Sequence, residues 1–204
     1  VSAAPPWGQH TTFTPEPRRA LLAVDGKDLG KDLLDPVRPR ETGLDALAPV
    51  AVAPGQGAYW EAEAGLVRPL MTVADDQDAS GGKCVWVPGE PGERGPAGRG
   101  TVTWKLQVAR AGKYWLWGRV LTPTPTDDSF FVTLANDRGE LLPQTDWHTG
   151  THTAWEWARV TTGNPPAPLG LDLPGGIAFL QVKVREDGAK LDRLFLSVDE
   201  RALP

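Results

Sequence analysis

Glu61-Ala-Glu63 sets two carboxylates two residues apart, the spacing at which side chains leave one face of a strand. Like charges held that close raise a pKa, pair with a base, or ligate a hard cation such as Ca2+, whose shell is built from carboxylate and carbonyl oxygens. A solvated face of an edge strand accounts for the same spacing. A second acidic run, Asp76-x-Asp78-x-Ser80-Gly81, mimics the opening of an EF-hand loop. Its twelfth position is Val87, where that loop needs a bidentate Glu, and no helices flank it, so an EF-hand is excluded. A looser oxygen-rich turn and an ordinary Asx turn both remain open. Asp146, His148 and His152 carry side chains suited to a transition metal, but Thr149-Gly150-Thr151 between the histidines reads as a loop and no third histidine is near. Solvated loop residues are the simpler reading of these three.

Catalytic signatures are missing. There is no G-x-S-x-G, no G-x-G-x-x-G at a strand–helix junction and no H-E-x-x-H. Asp127 and Asp128 are adjacent carboxylates, yet Thr-Pro repeats precede them and Ser-Phe-Phe-Val follows, the pattern of a loop entering a strand. The chain is therefore read as non-catalytic. Its nine tryptophans carry more information. Trp104 fits a core position by alternation, as do Trp86 and Trp157, whereas Trp147 lies in a polar stretch and Trp155 at the edge of one. Exposed indoles beside Asp, Arg and amide groups stack on the apolar faces of sugar rings. Trp155 also suits a simple cover for a sheet.

Those residues need a scaffold, and composition restricts what it is. With 204 residues, 23 Gly, 20 Pro and a single Met, the chain can bury a core but disfavours long helices. A net charge of −5 without a basic stripe argues against a nucleic-acid partner. Cys84 is the only cysteine, so no intrachain disulfide forms, and a small buried hydrophobe is its expected role. No apolar run is long enough for a membrane span, and the sequence starts at Val1 without a charged-then-apolar leader, as expected where a signal peptide has been removed or not included.

Residues 1–57 read as a Pro-rich arm or linker, with a loosely helical patch at 29–34. From Ala58 to the end, strands alternate with turn clusters, which predicts an all-β chain, an antiparallel β-sandwich of jelly-roll type with an irregular N-terminal arm. Val102, Trp104, Leu106 and Val108 share one face of a strand, and Lys113–Leu121 carries aromatics on both faces, as a strand covered on both sides would. Further strands are expected at 58–64, 83–87, 129–136, 155–160, 176–184 and 191–198. Long polar loops at 75–82, 88–99, 122–128, 137–154 and 161–168 are where recognition is expected.

Taken in order, Glu61-Ala-Glu63, Asp78-Ala-Ser-Gly-Gly82, Gly112-Lys-Tyr-Trp-Leu116 with Arg119, Asp128-Ser-Phe-Phe-Val132, Trp155-Glu-Trp157 and Gly188-Ala-Lys-Leu-Asp192 resemble carbohydrate-binding modules of families 35 and 6, which are galactose-binding-like β-sandwiches. The resemblance covers about residues 58–199. It implies a structural Ca2+ held by the side chains of Glu61, Glu63 and Asp192 and by a backbone carbonyl in the stretch from Ser80 to Lys83. It also implies a glycan or polysaccharide ligand in apical loops, with Trp147, Trp155, Asp127 and His148 as the contacts. Lys190 stands where relatives often carry Asn, which alters or abolishes the usual sugar contact, or favours an acidic sugar. A secreted, periplasmic or cell-surface location follows from the resemblance. Two other readings stay open: a structural or interaction subunit of an extracellular or cell-envelope assembly, docking other domains or subunits through the N-terminal arm, and a metal-dependent hydrolase built on Asp146, His148 and His152.

Overall fold

The computed structural model describes residues 43–89, 99–136, 143–163 and 165–204, together with the short pairing of β1 (Ala23–Val24) with β2 (Lys27–Asp28). The chain divides into two units, Val1–Arg38 and Pro39–Pro204. The helical patch expected at 29–34 and most of the 88–99 loop lie outside the described residues, as does the 137–142 part of the 137–154 loop.

The second unit is a β-sandwich. Its strands run β3 (Val50–Val52), β4 (Ala58–Glu61), β5 (Leu66–Arg68), β6 (Thr72–Asp75), β7 (Lys83–Trp86), β8 (Thr101–Val108), β9 (Gly112–Thr122), β10 (Ser129–Asn136), β11 (Thr145–His148), β12 (His152–Arg159), β13 (Thr161–Thr162), β14 (Ala167–Pro168), β15 (Gly170–Leu173), β16 (Gly176–Val184) and β17 (Lys190–Ser197). One sheet has the order β11-β10-β16-β8-β3, with β5 also on β8; the other has the order β12-β9-β17-β7-β6, with β15 on β9 and β4 on β17. Pairing is antiparallel except for β3, which runs parallel to β8.

The core lies between the sheets and follows strand alternation. Val102, Trp104, Leu106 and Val108 of β8 are all buried, facing Tyr114, Leu116 and Val120 of β9 and Leu191, Leu194 and Leu196 of β17. Burial of that whole face is what fixes register, because a slip of one residue turns every apolar side chain outward. Cys84 is buried with its thiol pushed up to about 11 by burial, as a packed hydrophobe would be. Among the described residues no helix is long and apolar enough to cross a membrane.

Two boundaries differ from the expected ones. Val50–Val52, inside the stretch expected to be arm or linker, is a strand of the six-stranded sheet. The first strand of the predicted set stops at Glu61, and Ala62–Ala64 form a 3-10 turn. Glu61 and Glu63 thus do not share a strand face, since the chain turns between them.

Candidate functional site

Asp192 shows how the acidic site is built. Between Leu191 and Arg193 the pairing of β17 with β9 shifts register, a bulge that breaks the in-out alternation. Leu191 and Asp192 are consequently both buried. The 3-10 turn carrying Glu63 is fixed from the core, where the Trp104 indole N–H donates to the Ala62 carbonyl oxygen at 3.2 Å. Gly65 closes that turn against the same indole: a Cβ there would lie 2.6 Å from Trp104 Nε1. A second turn, Ser80–Gly82, faces it, and the Ser80 hydroxyl donates to Glu61 Oε1 at 3.1 Å.

Two arginines balance part of this negative charge. Arg119 on β9 donates to Asp192 Oδ2 and, at 3.3 Å, to the Asp78 carbonyl oxygen. Arg193 Nε lies 3.2 Å from Glu61 Oε1. Glu61 Oε2, Glu63 Oε2 and Asp192 Oδ1 are nevertheless buried without a partner. Burial pushes the Glu63 carboxyl up, and the charges of Glu61 and Asp192 push it further. Among the described residues no group of three or more His, Cys, Asp or Glu side chains is placed to hold a metal ion. The three orphaned carboxylate oxygens are the more direct observation, because buried acceptors without donors call for a cation or a proton. Lys83 donates to Asp75 at 2.5 Å, and its charge offsets a small part of the rise at Glu63.

Next to this site, on the outer face of the seven-stranded sheet, Asp76 organises an aromatic cluster. Its Oδ1 accepts the Asp78 amide N–H at 3.1 Å, an Asx turn, and the Trp155 indole N–H at 3.5 Å; its Oδ2 accepts Lys190 Nζ at 3.2 Å. Burial pushes the Asp76 carboxyl up, but the Asp78 amide, Lys190 and Trp155 together outweigh it and leave it below the ordinary aspartate range. Lys190 Nζ also lies 5.2 Å from the centre of the Trp86 ring, and the Arg119 guanidinium 5.5 Å from that of Trp155. Two half-buried indoles, each beside a cation, thus share one acidic hub.

The other expected contacts are dispersed. Trp147 is not a platform. On β11 it points inward, fully buried, with its ring centroid 5.5 Å from that of Phe130 and its N–H donating to the Arg159 carbonyl oxygen at 3.0 Å. Asp127 is also fully buried, its Oδ2 accepting the Thr124 hydroxyl at 2.6 Å, so it shapes its loop rather than facing a ligand. His148 is exposed, 3.9 Å from Asp128, and with Asp146 it lines a cavity of about 560 Å3 bounded by Gln144, Thr145, Thr161, Thr162 and Pro166. His152 turns to Glu156 and to the Thr149 carbonyl oxygen, so Asp146, His148 and His152 do not converge.

The outer face holds what the sequence reading missed. Trp86 and Trp157, expected in the core, lie half-buried there. Beside them Tyr59, Phe195, Trp117 and Arg159 stand side by side across β4, β17, β9 and β12. The signal was Trp115, Trp117 and Arg119 alternating on β9 opposite its core residues.

No family model matches the chain. An uncharacterized protein, P23, of Formosa agariphila is 27% identical over 114 residues, covering 53% of this chain and 28% of that protein. Among solved structures, a family 35 carbohydrate-binding module from Clostridium thermocellum superposes with a TM-score of 0.50 at 16% identity, covering 69% of this chain and 98% of that one. A Podospora anserina β-(1,4)-mannanase bearing a family 35 module gives 0.53 at 15% identity over 72% of this chain and 29% of the enzyme. The Arthrobacter globiformis isomalto-dextranase complexed with panose gives 0.52 at 15% identity over 69% of this chain and 23% of the enzyme. This chain spans less than a third of the curated relative and of both enzymes. Its sandwich has the fold of family 35 carbohydrate-binding modules.

Proposed function

We propose that the chain is a non-catalytic module that binds a glycan through the Trp155–Asp76–Lys190 cluster. The observation that carries this reading is the half-buried Trp155 indole, held by a hydrogen bond to Asp76 and stacked by Arg119, with Lys190 on the other oxygen of Asp76. A flat apolar ring beside charged hydrogen-bonding groups matches a sugar, which has C–H faces and a rim of hydroxyls. The solved structures of this fold support it in class, since they include a carbohydrate-binding module and two glycan-degrading enzymes, one with an oligosaccharide bound. The module's place is secreted or at the cell surface, where polysaccharides are met.

Ca2+ is the second part of the proposal. Glu61, Glu63 and Asp192 would hold it through the three oxygens that lack partners, with a backbone carbonyl of the Ser80–Gly82 turn completing the set. The ion would supply charge neutralisation, relieving the repulsion that raises Glu63, and would tie β4 to β17.

The test is affinity electrophoresis of the protein and its Trp155→Ala variant through gels containing soluble polysaccharides. Retardation of the parent by at least one polysaccharide, lost in the variant, is the expected result. Retardation that persists undiminished without the Trp155 indole overturns the placement of the site, and no retardation by any polysaccharide overturns the function.

A further inference from the structure

Arg119 touches both halves of the candidate site. On one side its Nη1 donates to Oδ2 of Asp192, the carboxylate whose other oxygen is buried without a partner. On the other side its guanidinium stands 5.5 Å from the centre of the Trp155 ring. Between the two, Nη1 and Nη2 each lie 3.3 Å from the Asp78 carbonyl oxygen. Asp78 gives its amide N–H to Asp76 Oδ1, the oxygen that also accepts the Trp155 indole N–H at 3.5 Å. Arg119, Asp78, Asp76 and Trp155 thus close a ring of contacts, and Arg119 is the member of it that reaches Asp192.

The Asp192 side chain is fully buried and that of Arg119 is 25% exposed, so water screens the pair poorly and its strength follows the charge on the carboxylate. A carboxylate neutralised through Oδ1 holds a guanidinium on Oδ2 less tightly. Arg119 then rests more on its two other partners, the Asp78 carbonyl oxygen and the Trp155 ring. The guanidinium is a rigid plane, so a change at one N–H carries the whole fork with it. A lysine at this place, a point charge on a flexible stem, would lack that stiffness.

We propose that Arg119 is a positioning residue for Trp155 and relays the occupancy of the acidic pocket to it: with a divalent cation on Asp192, Glu61 and Glu63, the guanidinium shifts its weight from Asp192 onto the indole. A ring braced by its stacked cation is ordered before a ligand arrives, which lowers the ordering cost of binding. The coupling is reciprocal, since a ligand that favours the braced ring favours the loaded pocket to the same degree. The trigger of this relay rests on the Ca2+ reading above, and the glycan reading enters only in what the indole does once braced.

The test is a Ca2+ titration of the intact protein at neutral pH, after stripping with EDTA and dialysis and with no glycan present. NMR follows the indole N–H resonances of Trp155 and Trp115 and the Nε–H of Arg119, and thermal melts are taken at each end of the titration. Ca2+ is expected to raise the melting temperature by a few degrees, as mass action on the folded state requires. It should move Trp155 and Arg119 with one common midpoint, and leave Trp115, nearer the start of the same strand, in place. In Arg119→Lys the melting temperature should still rise while the Trp155 shift falls to about half or less. No rise in melting temperature overturns the relay together with the Ca2+ reading, whereas a rise with Trp155 unmoved overturns the relay alone. An undiminished Trp155 shift in Arg119→Lys overturns the route through Arg119. So do different midpoints for Trp155 and Arg119, which are read on the parent should the variant fail to fold. Movement of Trp115 as large as that of Trp155 overturns the relay as well, because the whole fold would then be responding.

Discussion

Lys190 Nζ lies 3.2 Å from Asp76 Oδ2, joining the first residue of β17 to the loop after β6 across 114 positions of sequence. Both side chains are largely buried, so the pair counts for more than a surface ion pair. Lys190→Ala should destabilise the protein by about 1 kcal/mol at neutral pH. Asp76 has a lowered pKa in the folded state, so the stability it contributes is present above its unfolded value of 3.8 and is lost as pH falls through the lower folded value. Thermal melts at pH 7 and pH 3 check this: the gap between parent and variant should narrow in acid.

Glu63 behaves in the opposite sense. Its folded pKa is raised above 4.5, so its contribution to stability is fully present below that pH and is lost as pH rises through the folded value. In EDTA at neutral pH, Glu63→Gln should therefore melt no lower than the parent, and up to a few degrees higher. Adding Ca2+ should reverse the order, because mass action stabilises only the chain that keeps the ligand. Equal Ca2+ responses in the two proteins would exclude Glu63 from the ion's shell.

Trp147 and Trp155 should separate stability from binding. Trp147→Ala removes a fully buried indole and should cost about 3–5 kcal/mol. Trp155→Ala, at a half-buried position, should cost well under half of that yet abolish retention on polysaccharide gels. Urea melts paired with gel retention on the same two variants give the comparison.

Gly118 is held to glycine by packing. A Cβ there would come within 2.4 Å of Trp147 Cη2 and 2.8 Å of Leu191 Cδ1, both core atoms with little room to retreat. Gly118→Ala should lose about 1–3 kcal/mol, and denaturant midpoints measure it.

The long strands were legible because alternation over eight or more residues leaves one reading: Thr101–Val108, Ser129–Asn136 and Gly176–Val184 fall within a residue of where the pattern puts them. Short strands were not. Thr145–His148 presents three polar residues around one Trp, a composition that reads as loop, and that is why Trp147 looked exposed. Trp86 and Trp157 show a different limit: alternation tells which residues share a face, but in a sheet whose outer face is also aromatic it does not tell which face is inside. The Glu-Ala-Glu and Lys-Leu-Asp segments lie close enough in the fold for the charges of Glu61 and Asp192 to raise the Glu63 carboxyl. The bulge at Asp192, and the reach of Asp76 to both Trp155 and Lys190, depend on tertiary contacts that no local pattern carries.

Strand β8 has two partners on its outer side: Leu66–Arg68 pairs with its first three residues and Val50–Val52 with its last three. An otherwise open sheet margin is thereby sealed by two short segments lying on either side of β4. Cutting the chain just before Ala58 would remove one of those seals and leave the backbone of Leu106–Val108 as a bare template for another strand. The segment that reads as linker is thus a guard against self-association, and a recombinant fragment that begins at Ala58 should be sticky where one that begins before Val50 is not.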